Sequence, residues 1–244
     1  MRYFLELAYH GKNYYGWQVQ PDVISVQEKL TKSISTILRQ EVTIVGAGRT
    51  DTGVHASQMY AHFDVDLTLD DNFTYKLNAI LPNDIVIYRT IAVAENAHAR
   101  FDASSRSYEY KIWLGRNPFV LDTTWQLNYK NIDIEAMNTA AALLYEYEDF
   151  ECFSKVKTDV RTFDCDVTHA KWVLKGNELT FFISANRFLR NMVRAIVGTL
   201  LDVGLGKISI DDFKAVIESK NRSKAGVSVP AKGLFLTEVT YDYI

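Results

Sequence analysis

The chain has 244 residues, 48% of them apolar and 23% charged, which is enough apolar material for a sizeable core and too much for a disordered tract. Its 27 basic and 30 acidic side chains leave a formal charge of −3, which excludes the bulk positive field of a generic nucleic-acid binder and makes any such site local. The longest apolar run, Ala140 to Tyr145, falls far short of the roughly 18 residues that cross a bilayer, and Met1-Arg-Tyr-Phe-Leu-Glu6 lacks the apolar core of a signal peptide. Cys152 and Cys165 make neither a disulfide framework nor a CxxC pair, so a cytoplasmic protein without membrane contact is expected.

Residues Arg2 to His10 alternate as a strand that Gly11 breaks, and Ser25-x-x-Glu28 is a capping-box signature ahead of Val26, Leu30, Ile34 and Ile37 at helical spacing. Val42 to Gly48 and Gln58 to Asp66 read as strands, Phe73, Leu77, Ile80 and Leu81 as a helical face, and Ile85 to Ala94 as a strand. The first half spells βαββαβ. After His98-Ala-Arg-Phe101 the order recurs: a strand at Ser105 to Leu114, a helix at Ile134 to Tyr145, and strands near Val160 to Leu174 and at Leu179 to Asn186, joined by a Lys175-Gly-Asn-Glu178 turn. A helix from about Phe188 to Val203, a short one near Ile210 to Ser219 capped by Ser209, and a terminal strand at Leu234 to Asp242 complete it. The expected fold is α+β. Two ferredoxin-like, split-βαβ halves, 1–104 and 105–244, carry mixed or antiparallel sheets that adjoin to frame a cleft.

Residues 1–104 carry 9 basic and 12 acidic side chains and residues 105–244 carry 18 of each, so the second half supplies most of the cations. Arg187, Arg190 and Arg194, three and four apart with no acid between, are expected on one stripe of the Phe188 helix. Such a stripe suits phosphates and equally suits a solvated face. In the first half the unusual segment is Gly46-Ala-Gly-Arg-Thr-Asp-Thr-Gly-Val-His55, too polar and glycine-rich for core, hence a loop. Asp51 stands where a dinucleotide fingerprint needs its third glycine, and the Gly-Lys-Ser/Thr of a P-loop is missing. A metal site would need His55 in the loop to converge with His62 and Asp64 on a strand, and ordinary turn and strand histidines explain them as well. What remains is Asp51, flanked by Arg49, Thr50 and Thr52. An aspartate in a turn is commonly a cap, yet an ionised one held charged in a water-poor pocket can be a nucleophile.

The run Ala47-Gly-Arg-Thr-Asp-x-Gly-Val-His55 resembles the signature of the tRNA pseudouridine synthase A family. Other segments agree in order and spacing: Tyr9-x-Gly-x-x-Tyr14-x-Gly16-Trp17-Gln18, Ser25-Val-Gln-Glu-Lys-Leu30, Leu81-Pro, His98-Ala-Arg-Phe101, Arg106-x-Tyr108-x-Tyr110, Asp149-Phe150, Phe188-Leu-x-x-Met-Val-Arg194-x-Ile-Val-Gly198 and Gly233-Leu. Thr52 departs from the family's more usual alanine. The resemblance implies a pseudouridine synthase fold. It also implies isomerisation of uridine to pseudouridine at positions 38, 39 and 40 of the tRNA anticodon arm by a homodimer, without metal or organic cofactor.

By the same resemblance Asp51 is the catalytic carboxylate, acting on ribose or base or as a base, three routes the sequence does not separate. Arg194 matches the basic residue that pairs with this aspartate and keeps it ionised, and Arg49 the arginine that fills the space of a flipped base. Tyr108 matches a tyrosine whose ring stacks on uracil and whose hydroxyl helps remove the C5 proton; from alternation alone, with Tyr110 and Ile112 on its face, it equally suits a core aromatic. Arg187 and Arg190 would contact phosphates, and Leu234 would give the base an apolar contact. Two other classes fit less of the chain. A non-catalytic RNA-binding module of RRM-like halves lacks an RNP1 run and leaves the Asp51 loop without a role, and a dinucleotide-dependent enzyme lacks the third glycine.

Overall fold

The fold is that of a computed structural model whose described residues are 1–128, 131–156 and 161–244. In chain order they form β1 (Arg2–Tyr9), α1 (Val26–Leu38), β2 (Val45–Gly46), β3 (His55–Asp64), α2 (Phe73–Ile80), β4 (Ile85–Val93), β5 (Ser105–Leu114), β6 (Trp125–Leu127), α3 (Ile134–Ala142), β7 (Val167–Lys175), β8 (Glu178–Ala185), α4 (Met192–Gly204), α5 (Ile210–Glu218) and β9 (Leu234–Thr240). They pack as two compact units, Met1–Ser104 with Phe235–Ile244, and Ser105–Leu234. Among the described residues no helix is long and apolar enough to cross a membrane.

In the first unit β1 lies antiparallel between β4 and β3, with Tyr9 opposite Ile85 on one side and Ala56 on the other. β2 pairs antiparallel with β3 through Val45–His62 and Gly46–Ala61. The order β4-β1-β3-β2 is that of the split-βαβ plan. Helix α1 begins where the capping signature places it, with Ser25 Oγ accepting from Glu28 N at 3.2 Å. The strand expected from Val42 to Gly48 is only two residues long. Val42 and Ile44 are buried as a strand would bury them, but their backbone is engaged by α1: Ser35 Oγ accepts from Val42 N at 3.3 Å, and Gln27 Nε2 donates to Ile44 O at 2.7 Å.

The terminal strand departs from the expected division at 105–244. β9 pairs in parallel with β3 through Phe235–His55 and Leu236–Ala56. Tyr241 OH donates to Ala99 O at 2.5 Å, Val239 N to Gln58 Oε1 at 3.0 Å and Ser104 N to Thr240 O at 2.9 Å. These bonds make residues 235–244 part of the first unit and give its otherwise antiparallel sheet one parallel pair.

The second unit holds the antiparallel order β5-β8-β7, with Tyr108 opposite Ile183, Tyr110 opposite Phe181 and Ile112 opposite Leu179. β6, which no pattern announces in three residues, adds in parallel to β5. β7 begins at Val167; Val160, where a strand is expected to start, lies outside the described residues. Before β7 the backbone is tied sideways, Cys165 N donating to Glu148 O at 2.8 Å. Helix α4 is the apolar centre of this unit, every residue buried except Arg194 and Asp202. It begins at Met192 and not at Phe188, because Asn191 adopts a left-handed conformation (φ 68°) that a helix interior does not admit. Arg187 and Arg190 therefore precede the helix, and no common helical stripe joins them to Arg194.

Candidate functional site

The loop between β2 and β3 owes its shape to the segment that follows β1. Tyr9 OH and Thr50 Oγ1 share a hydrogen bond of 2.8 Å. Trp17 N donates to Thr50 O at 3.2 Å and Gly53 N to Tyr14 O at 3.3 Å. Gly16 sits at φ +84°, and a Cβ there would stand 2.3 Å from Thr50 O. The buried Trp17 indole lies on Gly46, where a Cβ would stand 2.5 Å from the ring. Helix α1 secures the brace in turn: Val26 N and Gln27 N, donors without partners inside the helix, donate to Gly16 O and Trp17 O at 3.2 and 3.0 Å. The loop closes through Val54 N to Asp51 O at 3.1 Å, with Gly53 at φ +78°. The outcome is a half-buried Asp51 and an exposed Arg49 on backbone fixed at Thr50 and Gly53. Bracing residues Tyr9, Tyr14, Gly16 and Trp17 have no role legible from their pattern; an aromatic at the end of a strand and a glycine between two more just after it are the trace they leave.

His55 is the first residue of β3 and not a loop residue. It is buried, Nδ1 accepts from Gly11 N at 3.0 Å, and its ring stacks on Phe235 with centroids 4.5 Å apart. His62 is also buried, Nδ1 accepting from Ala99 N at 3.1 Å; desolvation, helped by nearby Arg2, pushes its pKa down to about 4. Both rings thus spend a nitrogen lone pair on main-chain N–H groups. Among the described residues no group of three or more His, Cys, Asp or Glu could hold a metal ion.

In the second unit Tyr108 and Tyr110 share a face of β5 but differ in burial. Tyr110 is fully buried, its hydroxyl donating to Pro230 O at 2.8 Å, and Gly233 lies so close that a Cβ would stand 2.9 Å from Tyr110 Cζ. Tyr108 is half-buried and meets the edge of Phe188 with centroids 5.0 Å apart. The core-aromatic role therefore belongs to Tyr110. Arg194 is half-buried on the first turn of α4, and its Nε donates to Val229 O at 2.7 Å. Arg187 is exposed, with Nη1 donating to Thr162 Oγ1 at 3.2 Å; Arg190 is exposed in the turn before α4 and its carbonyl accepts from Lys155 N at 3.0 Å. Leu234 is buried at the start of β9, as a core side chain is.

The first unit thus carries a half-buried carboxylate on a braced loop, and the second a half-buried tyrosine and arginine. A family model described as tRNA pseudouridine synthase matches residues 140–242. The protein called tRNA pseudouridine synthase A in Bacteroides thetaiotaomicron is 52% identical over 244 residues, spanning 98% of this chain and 90% of its own. Its namesake in Parabacteroides distasonis is 50% identical over 242 residues, 98% of this chain and 96% of the relative. The more distant tRNA pseudouridine synthase A of Bacillus licheniformis is 39% identical over 246 residues, 99% and 100% of the two chains. Identity at this level from end to end leaves one assignment: the chain belongs to the tRNA pseudouridine synthase A family.

Proposed function

We propose that the protein isomerises uridine to pseudouridine in tRNA, at positions 38, 39 and 40 of the anticodon stem-loop, with Asp51 as the catalytic carboxylate. The reaction breaks the bond from uracil N1 to ribose C1′ and makes one from C5 to C1′; C5 loses a proton and N1 gains one. Atoms and oxidation states balance without a co-reactant. The base must leave the stack and be held while it turns.

Asp51 brings the carboxylate to the ribose or the base. Tyr108 brings to the uracil a stacking ring and a hydroxyl able to assist departure of the C5 proton, and Arg194 brings a positive charge to the reacting nucleotide. Arg49 fills the gap left by the flipped base, Arg187 and Arg190 contact phosphates, and Leu234 gives an apolar edge. The enzyme works as a cytoplasmic homodimer, since one chain of net charge −3 has no surplus of positive charge with which to hold an L-shaped tRNA.

The observation that carries this reading is the braced Asp51 loop, with Thr50 fixed from both its hydroxyl and its carbonyl. Tritium release from tRNA transcripts labelled at uridine C5 tests it: the wild type releases label from the anticodon arm, Asp51→Asn does not. Release from other positions alone would overturn the site assignment, and no release at all would overturn the activity.

A further inference from the structure

We infer that residues 225–229 form a strap that positions Arg194, and that Arg222 acts on the reaction through that strap. The inference rests on the role proposed above for Arg194. Val229 engages Arg194 with both of its main-chain groups: its N–H donates to Arg194 O at 3.2 Å and its carbonyl accepts from Arg194 Nε at 2.7 Å. The second bond fixes the plane of the guanidinium, and so the direction of its two terminal amino groups.

Val229 is in turn held by the bonds that fix the four residues before it, to Arg222 and to α4. Arg222 Nη1 donates to Ala225 O and Gly226 O at 3.3 and 3.1 Å, and Nη2 donates to Ser228 Oγ at 2.8 Å. Ser228 Oγ also accepts from Asn191 Nδ2 at 2.6 Å, tying the strap to the residue that precedes α4. Gly226 N donates to Thr199 Oγ1 at 2.9 Å. The approach is close enough that a Cβ at Gly198 would stand 1.9 Å from Val227 O, and one at Gly226 would stand 2.8 Å from Thr199 N.

With its carbonyl turned onto the helix, Val227 leaves its side chain 85% exposed. An apolar side chain in that position contributes nothing to a core; its residue is there for its backbone. Arg222 spends its donors on the strap and is a positioning residue.

The test measures single-turnover rate and tRNA affinity for Arg222→Met, Arg194→Lys and the double variant. Lysine keeps the charge at 194 but has no Nε to bond Val229 O. Arg222→Met is expected to lose about tenfold in rate with affinity changed less than about threefold, and to cost nothing further in the Arg194→Lys background. A merely structural role for Arg222 would lower stability and multiply with Arg194→Lys, which overturns the inference. So does a wild-type rate in Arg222→Met, or an affinity loss with the saturated rate unchanged, which would make the strap a tRNA contact. Ser228→Ala, which removes only the hydroxyl shared by Arg222 and Asn191, should lose rate in the same direction; a wild-type rate there with Arg222→Met unfolded also overturns it. Arg194→Met at the wild-type rate would instead remove Arg194 from the reaction, and the strap's role with it.

Discussion

Replacing Gly16 by alanine should move Asp51 through the backbone on either side of it, since the new Cβ would stand 3.1 Å from Asp51 C. A Cβ at Gly16 would stand 2.3 Å from Thr50 O, about 1 Å short of an ordinary carbon–oxygen contact. The φ of +84° adds backbone strain of about 1–2 kcal/mol. Overpacking adds about 1–3 kcal/mol, so the cost is about 2–5 kcal/mol in all. For a chain of this size that is a fall in Tm of about 4–20 °C. Relief comes by withdrawing Thr50, and a displacement of about 1 Å at the neighbouring carboxylate is worth roughly a hundredfold in rate. Gly48, in the same loop, is the control: its Cβ would meet nothing within 4 Å, so Gly48→Ala should leave Tm and folding intact. The assay is single-turnover tritium release at a temperature where both variants are folded by circular dichroism, beside melting curves. A Gly16→Ala protein with wild-type rate and Tm would refute the bracing argument, as would an equal loss of stability in Gly48→Ala.

Asp51→Asn keeps the shape of the side chain but not its nucleophilic or basic capacity, so turnover should fall at least about a thousandfold while tRNA affinity stays within a few fold; substantial residual turnover would remove Asp51 from the chemistry. Tyr108→Phe should keep Tm and tRNA binding and lose turnover, whereas Tyr108→Leu should lose base positioning as well; a Phe variant at the wild-type rate would refute the catalytic hydroxyl. Arg190→Gln should reduce the slope of log affinity against log salt by about 0.7–0.9 if that exposed side chain meets a phosphate, and an unchanged slope would leave it a solvated cation. Stability should also depend on His62: its pKa of about 4 lies below the ordinary 6.5, so unfolding takes up a proton between those values. The stabilisation is complete above pH 6.5 and is lost as pH falls toward 4, by up to about 3 kcal/mol. Denaturant melts of wild type and His62→Gln across that range check it; parallel pH dependences would contradict the assignment.

Much of the fold was legible because its signals are local. Ser105 to Leu114 alternates from Tyr108 to Ile112 and is a strand with the expected ends; Ser25 and Ser209 cap the helices they precede. The failures are places where a partner distant in sequence decides. Val42 and Ile44 alternate like strand residues, yet side chains of α1 take their backbone. β9 alternates in the same way, and nothing in its own pattern says that it pairs with β3 through Phe235 and Leu236. The three residues of β6 are too few to have a period. In the run to Arg194, spacing promised a stripe that one left-handed asparagine at 191 breaks, and asparagine is among the few residues that adopt that conformation without a glycine's freedom.

The site divides along a related line. The Asp51 loop stood out because acids, hydroxyls and glycines between two strands have no use in a core, whereas Tyr108 was singled out only by the family resemblance: alternation puts it on one face with Tyr110 and does not say which of the two the fold buries, and it is Tyr110. The brace and the strap were not legible, because they work through main-chain carbonyls, Thr50 O and Val229 O, and every residue type supplies the same carbonyl. Such contacts leave a mark only where a side chain would obstruct them. Gly198 bears that mark: a glycine in a helix interior costs about 1 kcal/mol relative to alanine, yet alanine there would drive its Cβ to 1.9 Å from Val227 O. The helix forgoes that stabilisation because the close approach of the 225–229 segment is what sets Val229 O against Arg194.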